Sequence, residues 1–448
     1  MTTVNRGPQP ARLEDDSIAT SLALNWPWWL RPTWAFSLLT GVMALIAITL
    51  PSDVFVEWRV QDFLDGDLSQ VLAILMLIFL VSTLIGAGLA SRGGSVTINI
   101  TRKQLRYLRR AYTVLLTLSL AGYVIWLGSA ISQGVSLTNL TSVIDRDLGA
   151  ISELKANSRP IGGLTTFTQF GPAAIALGVL LKKVDGGRRS YWILIALAAF
   201  RAMFYAERLA LIEALLPLIL LAALTAQGQT RRAALVRVAP ILAPVLAWTV
   251  FAIFEYSRSW VYYQNLTNLP FAEWVSLRLA GYYTTSFNNS ALMVHATQGI
   301  HAQPYFSVDG FWNFPIIAAL SPHQGIQGME ATAWWANVLK LNANPEFNNT
   351  GSFLVTYAEF GMALAIVFWV VLGLACGLVF ARMTRGSIPA LLAVTTLFVG
   401  LLELSRFTYW TQGRAFPVLL AVLAVAFTYP RIRSSGRHRE KFIRSNPR

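Results

Sequence analysis

Uninterrupted apolar runs of about twenty residues recur along the chain; "LAILMLIFLVSTLIGAGLA", Leu72–Ala90, is the plainest of them. A helix needs a run of this length to cross the hydrocarbon core of a bilayer. Inside that core every backbone group must find a partner within the protein, so the chain must cross as helices or as a closed barrel. The runs are continuous and do not alternate apolar with polar, which argues against a barrel. Only 13% of residues are charged, about half of what a soluble chain carries. The expected fold class is all-α: a polytopic transmembrane helical bundle with a large outer loop.

The runs predict about ten spans, near 33–50, 70–90, 111–131, 164–181, 190–206, 208–226, 238–254, 352–379, 388–404 and 413–429. This divides the chain into a polar leader (1–32, its first twenty residues expected to lack structure and Trp26, Trp28 and Trp29 to form an interfacial aromatic belt with Trp34), an N-terminal bundle (33–254), an outer segment (255–351), a C-terminal helical part (352–429) and a basic tail (430–448). The connectors alternate in charge. Arg102, Lys103, Arg106, Arg109 and Arg110 fill one, Lys182, Lys183, Arg188 and Arg189 another, then Arg231, Arg232 and Arg237, then Arg382 and Arg385. Such clusters stay in the cytoplasm, so both termini are expected there. The net charge of +14 is spread over these short loops, which speaks for a membrane protein and against a nucleic-acid partner. The single cysteine, Cys376, lies in an apolar run and excludes a disulfide framework within the chain. The first apolar run, with no small-residue cleavage site before it, reads as a retained helix and not as a signal peptide.

Charges inside the apolar part carry the functional information. "RAMFYAERLALIEALL" places Arg201, Glu207, Arg208 and Glu213 where a mid-bilayer charge costs about 2.5–3.5 kcal/mol. A hairpin with its turn at "FYAER" brings Glu207 and Arg208 to the water boundary and leaves Arg201 deeper, pointing into the bundle. With Arg258, Arg278, Arg406 and Arg414 these arginines stand on the side where positive charge is disfavoured. Guanidinium forks match phosphate and diphosphate groups; the competing reading is that each arginine pairs with Glu207, Glu213, Glu255 or Glu403. Arg201, Arg208, Arg258 and Arg278 are the expected diphosphate ligands. Glu207, Glu255 or His323 is the expected base for a hydroxyl nucleophile, against the plainer reading of an arginine partner or a surface histidine. Asp67 reads as the N-cap of the second span in preference to a metal ligand, and no metal or cofactor is expected. "GYYTTSFNNS" and "NPEFNNTGSF" combine rings and amides that suit sugars, or anchor the membrane interface. "EWVSLRLAGYY" reads as an amphipathic interfacial helix. No nucleotide fingerprint occurs.

At "NNTGSFLVTYAEFGMALAIVFWVVLGLACGL", Asn348–Leu378, the chain resembles the oligosaccharide repeat-unit polymerases of bacterial envelopes (O-antigen polymerase type). Those are similar in span number, in a charged mid-chain hairpin and in one large late outer loop. The resemblance implies a C-type glycosyltransferase-like fold in the inner membrane. It implies donor and acceptor glycans on undecaprenyl diphosphate, a chain-length regulator as partner, no metal, and substrate contacts at Asn348, Asn349 and Glu359. The rival class is a lipid-linked glycan flippase or solute transporter, which also wants intramembrane charges; the sequence shows no transporter-type repeat.

Overall fold

The structure is a computed structural model that describes residues 17–88, 94–136, 163–187, 189–205, 208–226 and 230–430, with a few positions between 138 and 158. The chain begins with strand β1 (Ile18–Asn25) and helix α1 (Pro32–Thr49), then the short α2 (Ser52–Glu57) and α3 (Gly66–Gly88). Strand β2 (Ser95–Thr101) leads into α4 (Arg102–Ser132), followed by α5 (Gly171–Asp185), α6 (Tyr191–Tyr205), α7 (Arg208–Leu224) and α8 (Arg231–Glu255). Beyond these lie α9 (Phe271–Thr297), the short α10 (Asp309–Trp312) and α11 (Pro315–Leu320), and α12 (Ala331–Asn342). The chain closes with α13 (Phe353–Thr384), α14 (Ile388–Leu402) and α15 (Phe416–Thr428). Among the described residues, α1, α3, α4, α8 and α13 are long and apolar enough to cross a membrane, and four further apolar helices are shorter. The molecule is a mostly helical membrane protein.

One end of the bundle is basic and carries the sheet. β1 pairs antiparallel with β2, Leu22 opposite Ile98 and Leu24 opposite Val96. Leu22, Leu24, Ile98 and Ile100 alternate inward and are buried, which is the period-two signature of a half-buried strand. The expectation of an unstructured leader is therefore corrected for Ile18–Thr20, where β1 begins; residues 1–16 lie outside the described part. Thr101 and Gln104 form a reciprocal capping box that starts α4 nine residues before its apolar run. Gln104 also donates to the carbonyl of Pro430, Arg109 pairs with Asp185 at 2.5 Å, and Tyr112 bonds Ser190. The basic loops thus meet at one end. At the other, distal end sit the C-terminus of α8 and the whole of α9 to α12.

α8 is the least packed of the long helices: 11% of its most apolar window is buried, against 28–39% for the others. Pro240 lacks an N–H, so the carbonyl of Val236 loses its helical partner. The indole of Trp29 donates to that carbonyl at 2.8 Å.

Two glycine devices shape the core. Gly86 of α3 meets Gly373 and Gly377 of α13 so closely that an added Cβ would lie 2.7 Å from the carbonyl oxygens of Leu374 and Phe79 at the first two positions, and closer still to that of Thr83 at Gly377. Small residues at this spacing let membrane helices touch backbone to backbone. The second device is Gly361, with φ 72° and ψ 172°, a region that only glycine occupies readily. It breaks α13 into a short leg and a long one. Phe353 stacks on Trp369 at 4.0 Å, and Trp369 donates to Thr356. In a straight helix sixteen residues would span about 24 Å, so the chain doubles back at Gly361. The short leg is re-entrant: Phe353 reaches Phe36 and Phe79 in the middle of the bundle.

Gly361→Ala should destabilise the protein by about 1–3 kcal/mol. Gly377→Val should do at least as much damage, by forcing α3 and α13 apart. Gly128→Ala, in open space on α4, is the control and should be neutral or slightly stabilising. Thermal unfolding in detergent reads all three; wild-type stability of Gly361→Ala would remove the chain reversal.

Candidate functional site

The second half of α9 is polar yet buried: Thr284, Thr285, Ser286, Asn288, Asn289 and Ser290 are all essentially inaccessible. Sequence reasoning gave these amides to sugars and this helix to the interface. The structure gives them to the backbone of three irregular segments. Asn288 accepts from the Phe63 N–H at 2.6 Å and donates to the Gln61 carbonyl at 2.7 Å. Asn289 donates to the carbonyls of Phe347 and Asn349 at 2.5 and 2.9 Å. Ser286 donates to the carbonyl of Ser405. Gly351 packs its bare Cα against Ser286 and Ser290 at φ 75° and donates its N–H to the Arg406 carbonyl. Unpaired backbone groups at this depth would each be costly, and α9 supplies their partners.

Where these segments meet, the re-entrant loop Asn348–Ser352 faces the turn Glu403–Thr408. Arg406 donates to Glu403 at 2.6 Å and to the side-chain oxygen of Asn349 at 3.2 Å. Its guanidinium lies within 6.0 Å of the rings of Tyr282, Tyr283 and Phe407. Among the described residues, Arg406 Nε, Asn349 Nδ2, Asn289 Oδ1 and Ser405 Oγ are buried without a hydrogen-bond partner. Orphaned polar atoms are rare in native interiors; others occur at Thr40, Trp58, Ser307 and Asp309, but the former four belong to the two segments that meet at Arg406 and to the α9 residue that bonds Asn349. The seam continues along the same turn. Glu213 of α7 accepts from Tyr409 at 2.7 Å and from both Nε and Nη2 of Arg414 at 2.9 and 3.0 Å. Beyond it, Arg201 donates to Thr168 at 2.5 Å. Arg201, Glu213, Thr168, Gln169 and Tyr123 line a cavity of about 20 Å³, room for a single water.

The other expected site residues lie elsewhere. Arg278 is gripped on three sides, by Glu255 at 2.8 Å, Glu346 at 2.7 Å and Ser259 at 3.4 Å, over the rings of Tyr263, Trp274 and Phe347. Glu255 is wholly buried in this pair. The arginine-partner reading therefore describes Arg278 and Glu255. His323 accepts the Gly325 N–H at Nδ1 and bonds the Gln303 carbonyl through Nε2, between the rings of Tyr305 and Trp312. Both nitrogens are occupied in pinning a loop, which leaves none for a substrate hydroxyl. Glu359 accepts three backbone N–H groups, from Tyr305, Phe306 and Ser307, at 2.6–2.8 Å, and so ties the distal loops to the re-entrant leg. Asn348 is exposed, and its carbonyl accepts from Trp335. Asp65, in place of the expected Asp67, caps α3 through the Leu68 N–H. Glu207 falls outside the described residues. Arg208 opens α7, and Arg258 lies in a π-turn, Tyr256–Trp260, that prolongs α8.

Asp309 begins α10, whose Gly310 sits flat against the Thr411–Gly413 backbone. Burial pushes its carboxyl up to about 7, against the Gly310 and Gly413 amides that pull it down; Glu359 adds to the rise.

Comparison with family models, with curated proteins and with solved structures returns no match.

Arg278→Ala should lower protein yield and melting temperature, because it strands a buried carboxylate at a cost of about 3–5 kcal/mol. The Arg278→Ala, Glu255→Ala double variant should recover part of that loss. A stable but inactive Arg278→Ala protein would instead make Arg278 a ligand.

Proposed function

We propose that this protein polymerises undecaprenyl-diphosphate-linked oligosaccharide repeat units at the outer face of a bacterial inner membrane. The observation that carries the reading is the seam itself: arginine forks, free amide groups and tyrosines gathered on re-entrant backbone inside a membrane bundle. Such a set suits a ligand that is anionic at one end and hydroxylated at the other. Irregular backbone at membrane depth occurs where it lines a site or cavity.

In this reading Arg406 and Arg201 hold the diphosphate, with Arg208 and Arg258 as further cations at the distal boundary. Arg278 is withdrawn to a structural role. A hydroxyl oxygen of the acceptor forms a bond to the anomeric carbon of the donor. The bond from that carbon to the diphosphate oxygen breaks, and its electron pair leaves with the diphosphate. The guanidinium groups stabilise the charge that develops there. The hydroxyl proton passes to a carboxylate, Glu403 in the seam or Glu207 at the hairpin turn. About ten spans, with the basic end and both termini in the cytoplasm, complete the proposal. Reporter fusions after Arg110 and at the C-terminus should both read as cytoplasmic, and an outward reading of either breaks this topology.

Loss of one charged hydrogen bond to phosphate costs about 1.5–3 kcal/mol, a tenfold to hundredfold effect. Arg406→Ala, Arg208→Ala and Arg258→Ala should each shorten the polymer at equal protein level. Arg406→Lys should fail as well if the planar fork is required. Full-length polymer from all three alanine variants would end the diphosphate assignment. Deletion of the protein should leave single lipid-linked repeats facing outward; inward-facing repeats would identify a flippase.

A further inference from the structure

The distal region contains a helix that the protein core does not explain. Helix α11, "PIIAAL", has no polar side chain and no buried residue. Ile316 is 58% exposed and Leu320 80%, and Phe311 just before them is 53% exposed. A helix that is apolar all round is stable only in apolar surroundings, and among the described residues the chain buries none of its side chains and partly covers only Ile317. Its N-terminal flank fixes its height. Gly310 lies against the Thr411–Gly413 backbone with no space for a Cβ. Phe314 packs on Phe416 at 4.8 Å, and Phe416 is the first residue of the apolar helix α15. Helix α11 is thus fastened level with the end of a membrane-embedded helix. Its flanks match an interface: Phe311 and Trp312 before it, Ser321 to Gln324 after it.

We infer that α11 is an interfacial wedge, immersed in the lipid leaflet at the distal end of the bundle, with a bilayer surface as its partner. The amphipathic segment "EWVSLRLAGYY" forms the first half of α9, buried along the face of Trp274, Val275 and Arg278 and exposed at Glu273 and Ser276, and α11 adds a second contact with the leaflet. The wedge stands beside the turn that carries Arg414, so lipid reaches the bundle next to the seam. The inference rests on the membrane setting of the chain and is independent of the reaction proposed above.

The test is lipid exposure without substrate. Ile316→Cys, Leu320→Cys and Gln324→Cys are each made in a Cys376→Ala chain, spin-labelled, and placed in nanodiscs of phosphatidylethanolamine and phosphatidylglycerol. Oxygen should relax the labels at 316 and 320 several-fold more effectively than a water-soluble nickel chelate does, with the order reversed at 324. Equal nickel access at all three sites would put α11 in water and overturn the inference. Dipolar broadening at 316 or 320 that disappears on dilution with unlabelled protein would show a second copy covering the helix, and would overturn it equally. Should a cysteine variant fail to fold, a diazirine phospholipid photoreacted with the unaltered chain provides the second measurement. Adducts on Phe311–Leu320 support the wedge, and adducts confined to the long helices refute it.

Discussion

The reversal of α13 at Gly361 is the constraint on which the distal half depends. Once the chain turns back on itself, Phe353 is carried into the middle of the bundle and the loop before it must follow. A loop at that depth has amides and carbonyls with no water to meet them. The buried hydroxyls and amides of α9 answer that need one by one, at Gln61, Phe63, Phe347, Asn349 and Ser405. The polarity of α9 and the glycine in α13 are two halves of one arrangement.

Electrostatics follows the same economy. Arg278, Arg406 and Arg414 each meet a carboxylate, as buried or half-buried charges must. They differ in what is left over. Arg278 is saturated on every nitrogen. Arg414 presents its fork bidentately to Glu213. Arg406 keeps Nε without a partner, and the loose amide of Asn349 lies beside it. Residual hydrogen-bonding capacity, more than formal charge, distinguishes Arg406 from Arg278.

The apolar helices were legible from the sequence because membrane helices are written in long apolar runs; the run ends agree with the structure to a few residues except at the basic first turns of α4 and α8 and at the start of α5, the run from 352 is broken at Gly361, and α12 has no such run. The charge pattern of the connectors likewise anticipated one basic end. The strand pair was missed because Leu22, Leu24, Ile98 and Ile100 alternate only over a few positions, seventy residues apart in the chain. The role of α9 was misread because six small polar residues, interrupted only by Phe287 and preceded by two tyrosines, resemble a sugar-binding surface. Only their burial shows that they serve backbone. Arg406 was named among six arginines but not chosen. Its signal was present: it sits in a short turn opposite the Asn349–Gly351 loop, yet that proximity joins residues more than fifty positions apart. The short motif Tyr357-Ala-Glu-Phe-Gly361 proved richest, since Glu359 and Gly361 each have a separate structural task.

Because the re-entrant loop finds its backbone partners within the protein, its main chain has no need of solvent to hold its shape. That matters for any enzyme that passes a sugar from a diphosphate to a hydroxyl. Water is the more abundant nucleophile, and a wet centre would squander activated donor by hydrolysis. A site whose main chain is satisfied without water can exclude the competitor and remain folded between turnovers. Fidelity toward the intended acceptor would then come from the same hydrogen bonds that keep the chain folded, with no separate device to shut water out.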